Sequence, residues 1–282
     1  MAFAENVPCR KCGRSDLPLH TSMRCGDCGP SGWPTEFIGK IIEGDCLEVM
    51  RDIPDASIDM ILCDLPYGVT AHEKDRPLDP HSLWDAYRRI AKPTAAIVLT
   101  AQFPFSADLV VSNREMFRYD LIWDKQLVSG HLNAGRMPLR VHEHILVFYR
   151  RQPTYNPQFT EGLPRHSEGN AVGKCKIHRN TGRHHYPPDT KAGNTQKLPR
   201  SIVSFQKPHP SKAWHRTEKP VALFEWLIKT YTNEGDLVLD NCVGSGTTAV
   251  ACQQTGRRFI GIDLDPECVS ISMGRVSGVG TK

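Results

Sequence analysis

Five consecutive residues, Asp64-Leu65-Pro66-Tyr67-Gly68, bring together an acid, a backbone-fixing proline and an aromatic ring. They follow an apolar run, Ile58 to Cys63, that reads as a buried strand. The acid and the ring are therefore expected at the carboxyl end of a strand, the edge of an open α/β sheet where ligands bind. A flat substrate carrying an amino group suits such a place. The carboxylate can accept an N–H bond, and the ring can stack on its face. A plain turn with a core aromatic is the bland alternative.

A second group lies far downstream. Residues 237–248 read Leu-Val-Leu-Asp-Asn-Cys-Val-Gly-Ser-Gly-Thr-Thr. A strand is expected to end at Asp240. Gly244 and Gly246 then permit close backbone approach to a ligand, and Thr247-Thr248 open a helix. A further strand ends at Asp263, twenty-three residues after Asp240. This is the layout of a nucleoside-binding βαβ unit, with the later acid placed to accept ribose hydroxyl protons. It is not Gly-x-Gly-x-x-Gly. No Gly-Lys-Ser/Thr follows, so triphosphate binding is not expected. A zwitterionic ligand fits better: backbone amides for its carboxylate, Asp240 for its ammonium, Asp263 for its ribose. S-adenosylmethionine matches that description.

The elements that must position these groups alternate. Strands or strand-like segments are expected at Phe37–Ile42, Ile58–Cys63, Ala95–Thr100, Tyr119–Trp123, His144–Tyr149, Leu237–Leu239 and Phe259–Ile262. Helices are expected at Cys46–Ile53, Leu83–Ala91, Phe105–Val111, Leu223–Tyr231 and Thr247–Gln254. In Leu223–Tyr231, Phe224, Leu227, Ile228 and Tyr231 share one face. Residues 69–80 are polar and turn-rich and are expected to form a mobile loop. The alternation implies a parallel or mixed sheet with helices on both faces.

Net charge is +4 but uneven. Between Arg150 and Arg216 stand thirteen Lys/Arg and three acids (Glu161, Glu168, Asp189), an excess of +10 that leaves −6 for the rest. A basic insert in an acidic body suits a nucleic-acid surface, because phosphate contacts supply much of the binding energy; a solvated loop region is the alternative. Cys9-x-x-Cys12 and Cys25-x-x-Cys28, twelve residues apart, have a strong zinc spacing. They are expected to close a structural tetrahedral site that folds residues 1–33 as a zinc-ribbon-like segment. A second set, Cys175, His178, His184 and His185, lacks paired knuckles and reads as basic, DNA-contacting residues. The remaining cysteines are scattered, which favours a reducing compartment. No charged-then-apolar leader is read at the N-terminus. The longest apolar run, around Ala95 to Leu99, is too short to span a bilayer, so a soluble protein without a membrane partner is expected.

With these motifs in order, the chain resembles the β-class amino DNA methyltransferases. Asp64-Leu65-Pro66-Tyr67 looks like the family's Asp/Ser-Pro-Pro-Tyr motif, and His215-Arg216-Thr217-Glu218-Lys219-Pro220 is similar to its His-Pro-Thr-Gln-Lys-Pro. Asp240 to Thr248 resembles Asp-Pro-Phe-x-Gly-x-Gly-Thr-Thr, Gly261 to Asp265 resembles Gly-Ile-Glu-x-Asp, and Gly44-Asp45-Cys46 matches a Gly-Asp-Cys element. The likeness spans about residues 38–270. It implies a Rossmann-like S-adenosylmethionine-dependent fold over residues 34–282, with 150–212 as an inserted target-recognition region. It also implies catalytic Asp64, Leu65, Pro66 and Tyr67. Cofactor contacts are implied for Asp45, Cys46, Thr217, Lys219, Asp240, Cys242, Gly244, Gly246, Thr247, Thr248 and Asp263. Lys219 and Thr217 belong near the cofactor's carboxylate end, and Asp45 near its adenine or methionine portion. Capping and turn-forming roles compete for Thr217 and Asp45.

The implied reaction is direct, in-line methyl transfer to the exocyclic amine of a flipped base in double-stranded DNA, with no catalytic cysteine; Cys63 reads as a small buried hydrophobe. Asp rather than Ser at position 64 leans toward N6-adenine over N4-cytosine. A non-catalytic zinc-containing DNA-binding protein and an RNA substrate are the competing readings. The resemblance also implies a cytoplasmic, bacterial or phage-encoded enzyme, for which a homodimer and a restriction endonuclease are the further partners to consider. Leu65, Arg216, Glu218, Asn241, Cys242 and Asp263 depart from the family pattern.

Overall fold

A computed structural model of the chain describes residues 37–68, 78–164, 193–209, 211, 213–215 and 218–278. The cysteine quartet, residues 69–77, residues 165–192 of the basic segment with the Cys175–His185 group, and the pair Arg216-Thr217 lie outside the described residues.

Strands and helices alternate: β1 (Lys40–Glu43), α1 (Cys46–Arg51), β2 (Ile58–Asp64), α2 (Pro80–Ile90), β3 (Ala91–Ala101), α3 (Phe105–Ser112), β4 (Phe117–Ser129) and β5 (Arg140–Phe148). Two short strands follow, β6 (Thr160–Glu161) and β7 (Gln196–Lys197). Then come β8 (Ile202–Ser204), α4 (Val221–Tyr231), β9 (Leu237–Asp240), α5 (Thr247–Gln254), β10 (Arg258–Asp263) and α6 (Pro266–Val276). Eight strands form one sheet in the order β1-β10-β9-β2-β3-β5-β4-β8. β5 runs antiparallel to both its neighbours, while the other pairings are parallel. The sheet is therefore mixed, as expected. The chain also divides into two compact units, one of which is Asn156–Ser201. Within that unit β6 and β7 pair antiparallel, Thr160 opposite Lys197.

Both faces of the sheet are covered, and the two-residue period of a strand shows why. Ile61 and Cys63 point to one core with Met50, Leu83, Trp84 and Tyr87 of α1 and α2. Met60 and Leu62 point to the other, with Leu223, Phe224, Leu227 and Ile228 of α4 and Ala251 of α5. The buried strand and the amphipathic α4 stripe are thus where the apolar pattern puts them.

Several strands run longer than the apolar pattern alone suggests. β3 starts at Ala91, β4 covers Phe117–Ser129 and β5 begins at Arg140. Their extra residues include exposed polar ones, such as Thr94, Arg118 and His142, and also the buried Ala91, Lys125 and Glu143. Besides the short β6 and β7, two elements are additional to the pattern read from sequence. β8 is three residues inside the irregular basic region. α6 buries little apart from Val269 and Ser272, so its apolar period is weak. Its start signals are nevertheless present, because the Asp265 carboxylate accepts from Glu267 N–H and Pro266 opens the first turn. No helix among the described residues is long and apolar enough to cross a membrane.

Candidate active site

β9 lies between β10 and β2, and β2 in turn lies beside β3. The chain moves outward in opposite directions from this centre, so the loops after β9 and β2 open a crevice at adjacent carboxyl ends. Met60 pairs with Val238 and Ile61 with Leu239, which puts Asp64 and Asp240 at neighbouring strand ends.

Asp64 closes β2 with its carboxylate partly exposed. Its Oδ1 accepts the Tyr67 hydroxyl at 2.6 Å and the Thr100 hydroxyl from the end of β3. Its Oδ2 accepts the Lys219 ammonium. A carboxylate offers about four acceptor positions; three are filled, and one on Oδ2 remains for a substrate N–H. Leu65 is buried in the core, so its side chain serves packing and its carbonyl carries whatever polar role the position has. The Tyr67 ring packs on Phe105, centroids 5.4 Å apart, and the Lys219 ammonium sits 5.6 Å from its centroid. Burial and the Asp64 charge hold the Tyr67 phenol well above its ordinary range, so it remains a donor.

Lys219 links the two halves of the crevice. Its carbonyl accepts the Thr247 hydroxyl at 3.3 Å, at the start of the helix after the glycine loop. Its side chain turns to Asp64 and to Glu143, 3.6 Å away. Burial disfavours the charged form of this lysine, but Asp64 and Glu143 outweigh it and the ammonium titrates above the usual lysine range. Glu143 is fully enclosed. It pairs with Lys125 at 3.3 Å and accepts from Gln102 at 3.1 Å, while its Oε2 has no hydrogen bond. Glu143, Lys125, Gln102 and Thr100 are absent from the sequence-level site. Glu143 and Lys125 fall just beyond the strands expected from sequence, although each is in phase with buried neighbours, Ile145 and Val147 or Leu121 and Trp123.

The glycine loop has the expected form. Gly244 and Gly246 have positive φ, 53° and 83°, and a Cβ on Gly246 would meet Ser272 at 3.0 Å. α6 clamps the loop: the Ser272 hydroxyl donates to the Gly244 carbonyl at 2.6 Å, and Arg275 donates to the Ser245 carbonyl at 2.7 Å. Arg275 also pairs with buried Glu218 at 2.9 Å, which neutralises the acid standing where the family has glutamine.

Asp263 accepts the Gly244 N–H at 2.8 Å and the Asp265 N–H at 2.9 Å. That leaves about two acceptor positions for a pair of hydroxyls. Asp240 accepts the Thr248 hydroxyl and the Cys242 N–H. Burial pushes its carboxyl up to about 7. Tyr87 donates to Asn241 at 2.6 Å, and the Asn241 amide leans on the Cys46 and Cys242 sulfurs at 3.6 Å. Asp45 caps α1 through Leu47 and Glu48 N–H. Burial pushes the Cys63 thiol up to about 12, which leaves it inert as a nucleophile. Among the described residues no His/Cys/Asp/Glu group is arranged to hold a metal.

A mixed sheet that sets a glycine loop beside an Asp-Leu-Pro-Tyr strand end has the architecture of an α/β transferase. Solved structures agree on the fold. The M1.HpyAVI–SAM complex superposes with a TM-score of 0.57 at 22% identity, covering 84% of this chain and 98% of that one. PvuII DNA methyltransferase, described as cytosine-N4-specific, superposes with a TM-score of 0.58 at 15% identity, covering 85% and 90%. Residues 58–274 match the N6/N4 methyltransferase family described as DNA methylase, and the chain belongs to that family. Among curated relatives, Type II methyltransferase M.BglII of Bacillus subtilis is 27% identical over 93% of this chain and 73% of its own length. DNA adenine methyltransferase YhdJ of Escherichia coli K12 is 27% identical over 90% and 87%.

Proposed function

We propose that this DNA methyltransferase moves a methyl group from S-adenosylmethionine to the N6 amine of adenine in double-stranded DNA. The observation that carries the reading is the partly open Asp64 carboxylate, one acceptor position unfilled, set at the strand end beside the glycine loop. S-adenosylmethionine supplies an electrophilic methyl group. The chain's residues supply the rest. Asp64 and the Leu65 carbonyl accept the two amine N–H bonds and draw the nitrogen lone pair out of the ring. Tyr67 stacks on the flipped base, worth about 1–3 kcal/mol, comparable to the cost of unstacking it. As the new N–C bond forms and the sulfonium C–S bond breaks, the surplus amine proton leaves through Asp64. Positioning and electrostatics do the work.

The donor set fits the cofactor. Asp263 keeps acceptor positions for a ribose diol, and Asp240 offers an acid for an ammonium. Thr217 and Lys219 are assigned to its carboxylate end; the Lys219 ammonium can turn there only by loosening its hold on Asp64. Asp45, Cys46, Cys242 and Thr248 shape the wall around it. Adenine is preferred because position 64 is Asp. Transfer of labelled methyl to matched duplex DNA and RNA tests the substrate class: label in DNA is expected, and RNA-only labelling would reject the reading.

A pH dependence follows from Asp240. Its carboxyl is protonated below about 7, and a ligand ammonium requires the ionised form. Cofactor affinity is therefore expected to rise about tenfold per pH unit as pH climbs toward that value, then level off. Titration calorimetry from acid to neutral pH measures it. The Asp240→Asn variant should lose the slope, and a flat profile for the unaltered protein would contradict the assignment.

Cys9, Cys12, Cys25 and Cys28 are proposed to hold one structural zinc ion. Metal analysis of the purified chain should find about one zinc per molecule, the stoichiometry of a closed four-thiolate site. A zinc-free, folded chain would refute it.

A further inference from the structure

The connection between β4 and β5 has no role in the site described above, yet it leaves the sheet at the same edge. β5 is antiparallel to β3, with Thr100 opposite Ile145 and Ala101 opposite His144. The start of β5 and the end of β4 therefore lie at the carboxyl end of β3, beside Asp64. Side chains confirm the proximity. Arg140 donates to Gln102, Gln102 to Glu143, and Glu143 lies 3.6 Å from Lys219, the partner of Asp64.

The connection is built, not loose. Gly130 takes a left-handed φ of 90° and starts a 3-10 turn over His131–Asn133. Asn133, Ala134, Arg136 and Met137 N–H groups then donate back into the turn at 2.8–3.1 Å. This turn holds Leu132 fully out of the protein, at 101% relative exposure, with Met137 at 52%. Residues 126–142 contain Arg136, Arg140, His131 and His142 and not one Asp or Glu.

We infer that this connection enters the DNA duplex, with Leu132 as an apolar wedge filling the stack vacated by the flipped base and Arg136 holding the adjacent phosphate. The inference rests on the proposed methylation of a flipped base. Extruding a base leaves an apolar gap between two base pairs, which aliphatic side chains fill in proteins that unstack DNA. An acid-free, cationic connection is complementary to phosphate. A second copy of this chain would have to bring acids to meet it.

The test uses the full-length protein and an oligonucleotide duplex carrying the site that modification sequencing defines. Leu132→Ser is expected to lower transfer to the fully paired duplex about tenfold or more, since the cost of unstacking the target base is then no longer offset. On the same duplex with the target base mismatched, transfer should return to within about threefold of the unaltered protein, because a mismatched base is already partly unstacked. Cofactor affinity should not change. Arg136→Ala should raise KM for DNA and lower the salt slope by about one. Equal loss on paired and mismatched duplexes, or no loss on either, would overturn the wedge. So would loss accompanied by a shift from dimer to monomer in sedimentation, which would assign the turn to a second copy. No transfer by the unaltered protein to either duplex would overturn the function reading and the wedge with it.

Discussion

Replacing Asp64 with alanine is expected to lower methyl transfer by about 10³-fold or more, while cofactor affinity stays within about threefold. An exocyclic amine is a poor nucleophile because its lone pair is delocalised into the ring. Among the described residues the neighbours do not replace the Asp64 carboxylate: Thr100 and Tyr67 present hydroxyls that donate toward Asp64, and Glu143 is enclosed at 3% exposure. The fold should survive, because Asp64 is partly exposed and Lys219 keeps Glu143 at 3.6 Å. Steady-state transfer and calorimetry read the two effects separately. Full activity in the variant would reject the catalytic assignment. Parallel loss of cofactor binding would move Asp64 into the cofactor site.

The second large effect is on stability. Glu143→Ala leaves Lys125, 2% exposed, and Lys219, 8% exposed, without the carboxylate between them. Lys219 retains Asp64. Among the described residues, Lys125 retains a 3.3 Å bond to the Ser129 hydroxyl. Removing one member of a buried charge pair typically costs about 3–5 kcal/mol, because the remaining charge is stranded away from water. Urea unfolding should show a loss of that order. The Lys125→Met, Glu143→Leu double variant should regain much of it, since apolar replacement of both partners removes the stranded charge. A loss under about 1 kcal/mol for the single variant would mean that water reaches this cluster, as at exposed ion pairs.

The parts of the site carried by local pattern were legible in the sequence, and those made by strand pairing were not. The apolar run into Asp64, broken by Leu65-Pro66, located the strand end. The Asp240–Thr248 loop and Asp263 could be read as one unit because their spacing is local. That β9 lies against β2, and so brings the two groups to one crevice, depends on pairing between residues 178 positions apart, such as Met60 and Val238. Lys219 was legible as a site residue, but the contact of its ammonium with Asp64 depends on that same pairing. Glu143 and Lys125 were illegible for another reason. Both fall just past the apolar runs that mark their strands, and although each is in phase with buried neighbours, only the tertiary structure shows two opposite charges buried together. α6 is hard to read because its apolar stripe is weak, although Asp265-Pro266-Glu267 is a good helix start. Its Ser272 and Arg275 then turn out to hold the glycine loop.

The most direct test is the identity of the modified base. DNA from an unmethylated host expressing this chain, digested to nucleosides and analysed by mass, should contain N6-methyladenine, and DNA from the same host expressing Asp64→Ala should contain none. N4-methylcytosine without N6-methyladenine would contradict the adenine assignment, and the absence of any methylated base would contradict the account of the site.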